Sequence, residues 1–407
     1  MDSAANLLSR RQPVETACMV LFLSAIFLQK IGFPIAGNYI GLNALILWTT
    51  LLWLFVKGVA IIDLLRSLIF TVLILAVLLS LFIAQNIKSV PAVLIFLLMY
   101  ATMLFRIEVD RAVLLRCLGV FQTSMCFVAY IVITQQIIQY TVGNAYWPNL
   151  ENILPSYLLV GDYAYIRPYA WRSPFLVPNG VFFLEPSVVS EFTALALAAE
   201  IVWFKRLQRL SLYAFSLVVG VAGSGVAIIA ICSIPLFLNM DRRLRLWTLG
   251  LGVPVLSIAI LLGAFSHFVD RSAEFSNQNS SAYARVTIPF EATLRLSVDP
   301  DYLMVGNGPG TSVKAINTVQ WPINKIIYEY GLTAAIMFHV FLAVAILAHP
   351  ANRTVAMVIF IPHIVFGGGF VTHTNIMMLV LFGSFFNSHQ GTTDIRPPFT
   401  HMRQPDY

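Results

Sequence analysis

Apolar runs long enough to cross a lipid bilayer follow one another through nearly the whole 407-residue chain, and charged residues are confined to short clusters between them. A run of about 20 such residues crosses the hydrocarbon core as a helix, because a helix satisfies its own backbone hydrogen bonds where water cannot. Hydrophobic residues make up 58% of the chain and charged ones 11%, room for roughly 12 spans. That balance excludes a soluble enzyme, a disordered tail, a coiled coil and a disulfide scaffold. The alternating segments of a membrane barrel are also missing. Cys18, Cys117, Cys126 and Cys232 all lie inside apolar runs, so no disulfide is expected, and no Cys/His spacing suits a metal.

The runs place spans near 17–36, 39–56, 67–85, 90–105, 112–140, 183–204, 246–265, 323–348, 354–369 and 371–386. Arg10-Arg11 precedes the first, which is read as uncleaved because no small-residue cleavage site follows. Basic clusters at Arg10-Arg11, Lys57 to Arg66, Arg106 to Arg111, Lys205-Arg206 with Arg209, Arg242 to Arg245, and Arg353 alternate with the spans as cytoplasmic loops do. The stretch 210–238 has basic flanks on both sides, so parity requires an even number of crossings, and Gly223-Ser224-Gly225 supplies the break for a hairpin.

The expected fold is therefore all-α: one polytopic membrane domain over 1–407 with about twelve transmembrane helices and both termini cytoplasmic. Two long polar loops, 141–182 and 266–322, fall on the external face, and 387–407 forms a cytoplasmic tail. The net charge of +6 orients the chain and implies no nucleic-acid partner.

The first loop crowds aromatics and prolines around Arg167 and Arg172 before Gly180 and Phe183-Leu184-Glu185-Pro186-Ser187. Its aromatic rings suit the membrane interface and also suit sugar faces. Its arginines run against the bias for basic residues inside, and a guanidinium at headgroup depth is the fork that grips phosphate oxygens. Glu185 opens a span, with Pro186 in the first turn; it either complements the helix dipole or serves as a catalytic or substrate-binding carboxylate. Glu191, six residues deeper, carries the same ambiguity.

The second loop holds Ser280, Tyr283 and Arg285 in a Ser-x-x-Tyr-x-Arg pattern, then Asp299-Pro300-Asp301, then Gly306-Asn307-Gly308-Pro309-Gly310. Four basic residues oppose five acidic ones, so it is no general basic patch, and an arginine facing the cavity would be a specific ligand. The glycines read as a tight turn or as a phosphate cradle. Asn324, Tyr328, Glu329 and Tyr330 lie in the first two turns of the next span, and among the histidines His267 and His373 belong near the outer face.

Together, Arg172, Gly180 and the Phe-Leu-Glu185-Pro-Ser run, the pattern ending at Arg285, the spaced glycines and Glu329-Tyr330-Gly331 resemble the bacterial O-antigen polymerase and O-antigen ligase superfamily, especially Wzy-type exopolysaccharide polymerases. The likeness covers roughly 160–335; the first 140 residues match in hydropathy alone. It implies a glycosyltransferase-C-like, metal-independent and cofactor-free transferase of the inner membrane. Such an enzyme joins undecaprenyl-diphosphate-linked oligosaccharides on the periplasmic face, alongside a flippase and a chain-length regulator. It also implies that Arg172 and Arg285, with Arg167 a third, bind the donor diphosphate; Tyr283, Asn324, Tyr330 and His373, beside these motifs on the outer face, are the further substrate-binding candidates. Gln320 stands eleven positions before Gly331, where the ligase branch has a histidine, and Ala334 stands where its pattern ends in Gly, Thr or Tyr. Both depart from the ligase.

The chemistry converges on the same clamp. Transfer from a lipid diphosphate needs charge stabilisation on the leaving group, and without a convincing metal pair that role falls to arginines. The acceptor hydroxyl needs a base, for which Glu185 is the first choice and His267 or His373 the reserve. The reading of another class is a lipid-linked oligosaccharide flippase or transporter, which should carry internal repeats and ionisable residues deep in several spans. Neither stands out.

Overall fold

The computed structural model describes residues 2–35, 38–84, 88–161, 165–168, 173–220, 222–252, 283, 287–296, 299–312, 320–364 and 372–385. It is mostly helical, and four helices are long and apolar enough to cross a membrane: Leu64–Ile83, Arg111–Thr141, Pro186–Phe204 and Pro322–Leu347. The protein is an α-helical membrane protein.

Helix α1, Asp2–Phe27, takes in Arg10 and Arg11 and stops nine residues short of the expected end of the first span. The next residues form an antiparallel hairpin of β1, Gly32–Ile35, and β2, Asn38–Gly41. Hydropathy alone extended the span because Phe33 and Ile35 are apolar too, although Gly32 and Pro34 signal a break. Then come α2, Leu42–Val56, β3, Ala60–Ile62, α3, Leu64–Ile83, and α4, Val90–Ala101. Strand β4, Phe105–Ile107, returns to pair with β3.

Helix α5, Arg111–Thr141, carries the chain to the first long loop, and α6, Pro186–Ala199, returns it, ending in a wider turn over Glu200–Phe204. Buried Glu200 receives the Arg206 backbone amide at 2.9 Å and its Nε and Nη2 at 2.8 Å, closing that end. Two helices, α7 (Leu207–Gly220) and α8 (Gly223–Ile231), then pack on α6. The break between them is pinned to the start of α6, where Ser190 Oγ donates to Ala222 O at 2.8 Å and Ser224 Oγ to Ser187 O at 2.9 Å. Helix α9, Ser233–Asn239, runs back to the wide turn that ends α6. The stretch 210–238 is thus a reversing pair rather than one long helix.

Helix α10 is Arg242–Trp247; α11, Ile288–Leu296, and α12, Pro300–Val305, precede α13, Pro322–Leu347. Helices α14, Arg353–Phe360, and α15, His373–Val380, complete the described chain. The core is one continuous apolar cluster drawn from α1 through α10 and α13 through α15. All four cysteines are unpaired thiols.

One arginine organises an end of this bundle. Asp63 caps α3 by accepting the Arg66 amide at 3.0 Å, and the buried Arg66 guanidinium reaches into three further segments. It donates to Met103 O at 3.0 Å, Phe105 O at 3.4 Å, Ala345 O at 3.0 Å, Gly383 O at 2.8 Å and Ser384 Oγ at 3.3 Å. The Met103 and Ala345 carbonyls lie in the last turns of their helices, where carbonyls lack intrahelical donors.

Candidate functional site

The opposite end carries the polar segments singled out in the sequence. Its first part is a loop held by the side chains of α5. Gln135, Gln136 and Gln139 share the inner face of that helix, all buried. Gln135 accepts the Gly180 amide at 2.9 Å and donates to Asn179 Oδ1 and Pro148 O, both at 3.2 Å. Gln139 accepts the Leu176 amide at 2.9 Å and donates to its carbonyl at 3.1 Å, a two-point grip on one peptide. A side-chain amide offers a donor and an acceptor together, so it replaces a strand partner for a loop that has none. The turn so fixed puts Gly180 at φ +63° and Val181 at φ +66°, a conformation that costs a β-branched residue energy.

Two ion pairs fasten the same loop to the bundle. Lys30, fully buried just past α1, holds Glu151 at 2.5 Å and lies 5.1 Å from the centre of the Tyr165 ring. Burial draws the Lys30 ammonium below its ordinary range, and the Glu151 carboxylate pulls the other way. Arg167 reaches Glu185 at 2.6 Å, and Ser187 Oγ donates to the other carboxylate oxygen at 3.3 Å. Glu185 occupies the N-cap position of α6, but its side chain does not cap the helix. The sequence left it between dipole partner and catalyst; its direct contacts are Arg167 and Ser187.

The second part joins the glycine motif to the Glu329-Tyr330-Gly331 motif. Gly331 breaks α13 at φ +81°, which frees carbonyls one turn earlier. Asn307 N donates to Tyr328 O at 2.8 Å, and Gly308 N and Ser80 Oγ donate to Glu329 O at 3.0 and 3.1 Å. Gly306, at φ +75°, packs so tightly that a Cβ there would stand 2.6 Å from the Glu329 carbonyl. The buried Glu329 carboxylate accepts the Ser312 hydroxyl. Of the two readings of the glycines, the tight turn is the one these contacts describe.

No family model, curated protein or solved structure matches this chain. The geometry of its own residues therefore carries the functional argument.

Arg172, Arg285 and His267 lie outside the described residues. Tyr283 is described and half-buried. Asn324 donates to Thr293 Oγ1 at 3.1 Å and Pro289 O at 3.4 Å, bracing α11 on α13. Tyr330 is buried with its ring 5.3 Å from Phe96. His373 opens α15 beside Gly41, one residue before the bond from Asn43 Nδ2 to Thr374 Oγ1 at 3.1 Å. Asp299 caps α12 by accepting the Asp301 amide at 3.1 Å. Among the described residues no group of three His, Cys, Asp or Glu side chains could hold a metal.

Sequence reasoning missed Lys30, Glu151, Asn179 and the glutamines. A readable signal existed for the last: three glutamines within five positions of an otherwise apolar span. Glu151 Oε2, Arg167 Nε and both amide atoms of Gln320 are buried here without partners, as are Asn43 Oδ1, Arg209 Nη1 and the Nε2 atoms of His339 and His363 elsewhere.

Proposed function

We propose that the protein is a bacterial inner-membrane glycosyltransferase that polymerises undecaprenyl-diphosphate-linked oligosaccharide repeat units into exopolysaccharide or O-antigen on the periplasmic face. The observation that supports it best is the joining of two distant motifs of the resemblance. The Gly306–Gly310 turn closes on Glu329 and Gly331, at the same end of the bundle as Arg167 and Glu185. In this reading the basic Arg66 end faces the cytoplasm, as the positive-inside bias requires, with both termini there and about twelve crossings in all.

The acceptor sugar hydroxyl attacks the anomeric carbon of the growing chain, whose bond to the polyprenyl diphosphate breaks. Arg172, Arg285 and Arg167 stabilise the charge that collects on the departing diphosphate, in a site drier than bulk water where fixed cations act most strongly. A carboxylate of α6 takes the hydroxyl proton.

The test is the surface glycan of a deletion strain carrying single variants. Arg172→Ala and Arg285→Ala should abolish polymer and leave single repeat units on lipid, with membrane insertion unchanged. Normal polymer from both ends the clamp. Long chains unattached to the cell surface in the deletion strain would instead indicate the ligase, and precursor trapped on the cytoplasmic side a flippase.

A further inference from the structure

We propose that Glu191, rather than Glu185, is the catalytic base that accepts the proton of the acceptor hydroxyl, an assignment that rests on the glycosyl-transfer reading above. Both carboxylate oxygens of Glu185 are already engaged, one by the Arg167 guanidinium at 2.6 Å and the other by the Ser187 hydroxyl at 3.3 Å. A carboxylate has about four lone-pair sites, so these two bonds do not bar Glu185 from a proton. They tie its position to Arg167, whereas a general base must be free to come within about 2.6–3.2 Å of the proton it takes. Glu185 is instead a positioning residue, which aims Arg167.

Glu191 stands six residues further along α6, and Ser187 precedes it by one helical turn on the same face. Among the described residues no hydrogen bond or ion pair reaches Glu191, which is half-buried on α6. A carboxyl within a span is expensive unless it is paired or in use, and an unpaired one is the stronger functional candidate. Arg167, Glu185 and Ser187 thus form a bonded chain that ends one helical turn before the unpaired carboxyl of Glu191. That order matches the reaction, with the leaving diphosphate at the cation and the attacking hydroxyl at the base.

In the step, the acceptor oxygen forms a bond to the anomeric carbon and the bond from that carbon to the diphosphate oxygen breaks. The electron pair leaves with the polyprenyl diphosphate. The hydroxyl proton passes to Glu191, which returns it to the released diphosphate or to water.

Purified full-length protein in liposomes, supplied with a synthetic lipid-linked repeat unit, tests this. Glu191→Gln should lower kcat by ~10²-fold or more with little change in KM, and Glu191→Asp should recover part of the loss. Glu185→Gln should act mainly through KM, because it releases Arg167. A second measurement works on the wild type alone. A hydrophobic carbodiimide, which couples to unpaired carboxyls, should label Glu191 in preference to Glu185, and the lipid-linked repeat unit should slow that labelling. A Glu191→Gln protein that turns over like an active wild type, or an adduct on Glu185 in place of Glu191, overturns the assignment and leaves the polymerase reading standing. A wild type that binds the repeat unit and forms no polymer overturns both.

Discussion

The two ends of the bundle hold their most deeply buried cations in different ways, although each end also leaves some buried polar atom without a partner, Arg209 Nη1 among them. At one end Arg66 gives its guanidinium N–H groups to four carbonyls and a hydroxyl from three segments. At the other, Lys30, Arg167 and Glu185 hold a loop through ion pairs, while Glu151 Oε2, Arg167 Nε and the Gln320 amide are buried with nothing to bond. A buried charge whose donors are all used within the chain recovers much of its desolvation cost there. One left partly unsatisfied lowers stability, and what it loses in the free protein is recovered when a ligand supplies the missing partner.

Three substitutions separate these roles. The largest expected effect is at Arg66: Arg66→Leu leaves several buried acceptors without donors, at about 1–3 kcal/mol each, so the protein should fail to accumulate or should melt far below the wild type in detergent. A stable Arg66→Leu protein would break the contrast at its strongest point. Lys30→Met should cost less, about 1–3 kcal/mol, because Glu151 keeps 15% of its side chain exposed and can regain water. Proteolysis of the 143–161 segment should quicken in that variant before the bundle melts, and unchanged cleavage would mean that the pair does not hold the loop. The smallest effect is expected at Gln320, where Gln320→Met removes an unbonded amide and should leave the melting temperature unchanged or raised. A clear drop would show that the amide is satisfied in the free protein.

The sequence made the spans legible wherever an apolar run met a charge, as at Asp63 before α3 and Asp110 before α5, because both aspartates also cap their helices. It misjudged the first span, since Phe33 and Ile35 of β1 carry the apolar run past the end of α1 while Gly32 and Pro34 break the helix. At the site, the turn at Gly306–Gly310 was readable because glycine spacing is a local property. The pairing of Arg167 with Glu185 was not, since it depends on a loop folding back across 18 positions under the control of glutamines on another helix. Arg66 was hidden for a related reason: in one dimension it belongs to a basic cluster, and its partners lie 37 to 318 positions away.

Helix α5 has 31 residues, roughly 46 Å of rod against a hydrocarbon layer of about 30 Å. Its last turns grip loop peptides that cannot sit among acyl chains, so the excess length must project on that side. The helix is in effect a ruler: it fixes how far the loop it grips stands from the lipid, and a thicker or thinner bilayer would change the depth of the surrounding membrane without moving the loop relative to its mast.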